Sequence, residues 1–142
     1  MPKYLKDFYG WAQEQVALLR NGEFDQLDIP NLIKEIEILG RIEEDEIESQ
    51  LTLLLVHLLK WKYQLEKKYE KWELKIKKQR KEYACILKNN PGLKPHLESI
   101  LSNAYYLARI KAAKQTQLDI NTFEKTCPWG LNDIMNNNFY PD

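Results

Sequence analysis

The chain has 142 residues, 21 basic and 21 acidic, with a formal net charge of zero, 44% apolar residues and two cysteines. That length is about one domain and is enough to bury a core without disulfide or metal staples. The balance excludes a disordered chain, a collagen-like repeat and a cysteine-rich secreted scaffold.

In chain order, Leu5, Phe8, Ala12, Gln15-Val16 and Leu19 recur at steps of three and four. This predicts a helix over 4–20, with Asp7 able to cap its start and Asn21-Gly22 to stop it. After a short connector, Asp28 precedes a second helix with Pro30 in its first turn and an inner stripe of Ile29, Leu32, Ile33, Ile36 and Leu39. Gly40 interrupts the stripe before Ile47, Leu51, Leu54, Leu58 and Trp61 resume it, which predicts a kink or break near Gly40. Between Leu53 and Leu59 nearly every residue is apolar, as in a surrounded central helix.

Gln64 to Tyr69 reads as a connector. A third long helix follows over about 70–88, with Trp72, Ile76, Tyr83 and Ile86-Leu87 inside and lysines outside. Asn89-Asn90-Pro91-Gly92 ends it. Pro95 opens a helix with an inner face of Leu97, Ile100-Leu101, Ala104, Leu107-Ala108 and Ala112. From Leu118 the tail is turn-rich, with one short helix ending near Met135. No run alternates with period two, so the expected class is all-α: one domain over 1–142, a bundle of four to five helices with a turn-rich C-terminal tail.

Several blocks together carry a resemblance. They are Asp7-Phe8-Tyr9 with Trp11, Leu18-Leu19-Arg20 with Gly22 and Phe24, Leu27-Asp28 with Asn31-Leu32-Ile33, and Gly40-Arg41. His57-Leu58-Leu59-Lys60-Trp61 followed by Gln64 is the most distinctive, and Trp72, Gln79-Arg80, Ala104-Tyr105, Cys127-Pro128 and Phe139 extend the set. In this order they resemble the bacterial, largely cyanobacterial family called domain of unknown function 29. Lys34, Leu65 and Lys71 depart from its usual pattern. The resemblance implies an all-helical cytoplasmic protein and brings no activity with it.

The neutral total hides a strong segregation of charge. Ten acids stand against Lys34 and Arg41 between Glu23 and Glu48, a net of −8. Ten bases stand against Glu66, Glu70 and Glu73 between Lys60 and Lys81, a net of +7. Three uses compete: neutralisation of one stretch by the other, steering of a protein partner or a second copy, and contact with a phosphate backbone. The last would use Lys68, Lys71, Lys75, Lys78, Arg80 and Lys81, with Trp61, Tyr63, Tyr69 and Trp72 interleaved among them. The same cations are the candidates for binding a protein partner.

His57 within the apolar helix, with Glu46 ahead of it, is the weak candidate for catalysis. The alternative is a structural hydrogen-bond network, with Gln79, Arg80, Asn103 or Tyr105 as its partner. No metal site or cofactor is expected, because neither His57 nor His96 has a Glu three residues before it. Ser49, Ser99 and Ser102 lack a nucleophile elbow, and no glycine-rich phosphate loop occurs. Cys85, among Tyr83, Ala84, Ile86 and Leu87, reads as a small buried hydrophobe. No apolar run reaches the length of a membrane span and no secretory signal opens the chain, so cytoplasm is the expected location. The best reading is a non-catalytic interaction or regulatory module, possible self-association included; the alternative is a nucleic-acid-binding protein or nuclease using the basic helix 60–81.

Overall fold

The computed structural model describes residues 3–64 and 69–142, with all of their side chains except that of Tyr69. Among these residues every regular element is helical, so the protein is all-α. The helices are α1 (Lys3–Lys6), α2 (Phe8–Arg20), α3 (Ile29–Tyr63), α4 (Tyr69–Asn89), α5 (Leu97–Thr116) and α6 (Leu131–Ile134). Short 3-10 turns cover Phe24–Gln26, Pro91–His96 and Ile120–Thr122. Part of the expected connector, 65–68, lies outside the described residues.

The chain forms two compact units, Met1–Arg41 and Ile42–Asp142. In the first, Asp7 caps α2 by accepting a hydrogen bond from the Gly10 amide at 2.9 Å. A Cβ on Gly10 would stand 2.2 Å from that carboxylate, so any larger residue there would make the Asp7 side chain shift. Gly22, at φ +71°, turns the chain after α2 in the left-handed region open to glycine.

The second unit holds the core. Ile47, Leu51, Leu54, Leu55, Leu58 and Leu59 of α3 are fully buried, as a surrounded helix requires. Ile76 and Tyr83 of α4 and Ile100, Ala104, Ala108 and Ala112 of α5 pack into the same cluster. The tail closes the cluster with Phe123 and Ile134, both buried. Tyr105 donates to the Glu124 carbonyl at 2.5 Å, and burial pushes its phenol up to about 12.

Three expectations are corrected. First, of the expected kink or break, a break does not occur: α3 is one continuous helix through Gly40. Gly40 and Glu43 fill the stripe positions between Ile36 and Ile47, at steps of four, three and four, so the helical period is never lost. What lapses is its apolar character, and one glycine costs a helix only about 1 kcal/mol. Second, most of the stripe residues of the first two predicted helices are not inside, and Gln15 alone of them is buried. Phe8, Val16, Leu19, Ile29, Ile33, Ile36 and Leu39 are all exposed, because the first unit offers them no third layer. Third, Cys85 is exposed, on the flank of α4 away from Tyr83.

Candidate functional site

Two places in the molecule present chemistry outward, one in each unit. The first is a helical hairpin. Tyr4 donates its hydroxyl to the Glu35 carboxylate, and the Trp11 indole donates to Asp28 Oδ2 at 2.8 Å. Tyr4 on α1 reaches Glu35 while Trp11 on α2 reaches Asp28, so the segment from α1 through α2 runs antiparallel to the start of α3. Asp28 is the clasp: its carboxylate also accepts from Asn31 Nδ2 at 2.8 Å, and its amide donates to Gln15 Oε1 at 2.8 Å. The Asn31 and Trp11 donors hold the Asp28 carboxyl below the ordinary carboxylate range.

This hairpin is joined by polar groups, with few apolar ones inside. Among the described residues of the first unit, only Trp11 and Gln15 are buried. Phe8, Val16 and Leu19 of α2 form one bare row, and Ile29, Ile33, Ile36 and Leu39 of α3 form another, with exposures from 39% to 65%. Each row lies about a quarter turn from the side where its helix meets the other, at about 100° per residue. The helices run antiparallel, so both displacements point to the same side of the hairpin. The result is one continuous two-helix apolar face.

The second place is a groove of about 1000 Å³ in the second unit, flanked by α4, the Pro91–His96 turn and the tail. Lys77, Lys81, Lys88 and Lys94 line it, and Arg80 lies at its base. Arg80 is 2% exposed. Its Nε donates to the Ile134 carbonyl at 2.7 Å and its Nη2 to the Phe139 carbonyl at 2.6 Å, which ties the tail to α4. Its guanidinium also lies 5.4 Å from the centre of the Tyr140 ring.

The basic residues singled out from sequence therefore separate. Lys71, Lys75, Lys78 and Lys81 are exposed on α4, Arg80 is a buried anchor, and Lys68 lies outside the described residues. Among the described residues, the ion pairs are Lys3–Glu14, Lys62–Glu124, Lys77–Glu73 and Lys78–Glu82, so no pair joins the acidic stretch to the basic one. Of the interleaved aromatics, Trp61, Tyr63 and Trp72 are engaged internally, and the Tyr69 side chain lies outside the described residues. Trp72 is buried, Trp61 packs 4.6 Å from Tyr140 and Tyr63 packs edge-on 5.2 Å from Phe123. Lys77 and Lys88, in line with Lys81 and Ala84 at steps of four, three and four, were not singled out from sequence. That spacing was the available signal.

His57 is buried, and its Nδ1 lies 2.9 Å from the Leu53 carbonyl, which makes that nitrogen the donor. Burial lowers its pKa and outweighs the opposing pull of that carbonyl and of Gln79. Glu46 is exposed and eleven residues back along the same helix, a rise of about 16 Å. The two do not converge. Cys127 points its thiol at the Trp129 carbonyl, 3.4 Å away, and burial pushes its pKa up. Among the described residues no three of His, Cys, Asp and Glu gather where they could hold a metal ion. No helix of the described residues is long and apolar enough to cross a membrane.

Compared with known proteins, the chain matches one family model, Domain of unknown function DUF29, over residues 3–140. Neither a curated protein nor a solved structure matches it.

Proposed function

The chain belongs to the family described as Domain of unknown function DUF29, and from that starting point we propose that it is a helical interaction module that associates with a second copy of itself through the bare face of its N-terminal hairpin. The observation that carries this reading is the pair of apolar rows, Phe8 to Leu19 and Ile29 to Leu39, standing exposed on one side of two helices. An amphipathic layer has to bury its apolar side against another layer. Two such hairpins face to face make a four-helix arrangement, the ordinary solution for helices of this kind.

The size of the face supports a stable contact. Seven side chains at about half exposure leave on the order of 600 Å² of apolar surface bare, within reach of the roughly 800 Å² per partner of a standard interface. The charge around it supports an identical partner. Between Lys3 and Arg41 lie five bases and seven acids, nearly balanced, so the hairpin has no strong sign with which to select an oppositely charged partner. A two-fold contact of a face with its own copy is also the commonest oligomer geometry.

The test is amide hydrogen exchange across a wide dilution series. Amides of α2 and of residues 29–39 should exchange faster as the protein is diluted, while those of residues 47–59 stay protected. Equal exchange of the hairpin at every concentration would overturn the reading.

A further inference from the structure

The groove beside α4 is independent of the hairpin and has the make-up of a ligand site. We infer that it binds a small organic anion, a phosphate or carboxylate carried on a short apolar body, with the charged end toward Arg80 and the lysines.

Three observations meet there. The rim is cationic throughout: Lys81, Lys88 and Lys94 have no carboxylate within 4 Å among the described residues, and Lys77 alone is paired, with Glu73 at 3.0 Å. The remaining wall is largely apolar, from Tyr83, Leu87, Pro91 and Met135. Arg80, at the base, is a buried cation without a counter-charge. Its partners are two backbone carbonyls and an aromatic ring, and its Nη1 has no hydrogen-bond partner.

A buried charge without a counter-ion is costly, and an anion nearby relieves that cost. A groove of about 1000 Å³ is at the upper end of the range for small-molecule sites. Apolar walls with a few convergent polar groups are the usual composition of such sites. Phosphate and carboxylate share the chemistry that guanidinium and ammonium groups recognise, and the apolar wall selects for a ligand with a hydrocarbon part.

The experiment titrates the full chain with octyl phosphate, octanoate, octanol and inorganic phosphate by calorimetry. Proton–nitrogen correlation spectra locate the binding. At least one of the two octyl anions should bind one to one, tenfold or more tighter than octanol and than inorganic phosphate. Which of them it is distinguishes a phosphate from a carboxylate ligand. Shifts should centre on Tyr83, Ala84, Leu87 and Met135. Lys81→Glu with Lys88→Glu, both exposed and away from the core, should weaken binding at least tenfold with an unchanged melting curve. Octanol binding as well as the anions, shifts confined to the hairpin, or an affinity indifferent to the two charge reversals would each overturn the inference.

Discussion

The indole of Trp11 donates to the carboxylate of Asp28 at 2.8 Å, and this bond joins the two helices of the N-terminal unit at its most buried apolar side chain. The hairpin is thus closed by a polar clasp, which leaves its apolar rows free for something else.

The clasp makes the hairpin sensitive to acid. The Asp28 pKa is lowered by its Asn31 and Trp11 donors, so its contribution to stability is complete above the ordinary carboxylate pKa of about 3.9. It is lost as pH falls through the lower folded value. The Trp11 indole resonance should move in that acid range, and Asp28→Ala should show the moved position already at neutral pH. An indole resonance that ignores both changes would contradict the clasp.

Gly40 sits in the middle of an unbroken helix, with no atom within 4 Å of where a Cβ would stand. Gly40→Ala should therefore raise stability by about 1 kcal/mol in urea unfolding. A loss of stability would mean that the position needs glycine's conformational freedom, as a break would.

His57 is neutral and buried, with its folded pKa below the ordinary value. Its protonation is easier in the unfolded chain. Stability is complete above the unfolded pKa of about 6.5, and falls as pH drops from there toward the folded value. His57→Gln should flatten this part of the pH profile in thermal melts. A wild-type profile flat between pH 7 and 5 would contradict the buried neutral imidazole.

Arg80 differs from its neighbours Lys75 and Lys78. Arg80→Met removes two charged hydrogen bonds and strands the Ile134 and Phe139 carbonyls, which should cost about 2–4 kcal/mol. Lys75→Glu and Lys78→Glu, on the exposed face, should each stay within about 0.5 kcal/mol of wild type. Chemical denaturation of the three variants checks the contrast.

Much of this architecture is legible in the sequence, since helix periodicity and its stops are local signals. Asp7, Asn21-Gly22 and Asn89-Asn90-Pro91-Gly92 mark helix ends that the chain uses. What periodicity cannot say is whether a stripe finds a partner. Ile33 and Ile36 have the same spacing as Leu51 and Leu54, yet the first pair is exposed and the second fully buried. The role of Arg80 as an anchor of the tail was not legible, because its burial depends on tail carbonyls more than fifty residues away. The groove depends on the same long-range closure, and only the lysine spacing on α4 hinted at it.

The most direct measurement of the central claim is sedimentation equilibrium of the wild type beside Ile33→Glu/Ile36→Glu, with helicity checked by circular dichroism. The wild type should sediment at twice the 16.9 kDa chain mass, and the double variant at the single-chain mass with its helicity retained. A wild type at the single-chain mass at every concentration, or a double variant that still pairs, would contradict it.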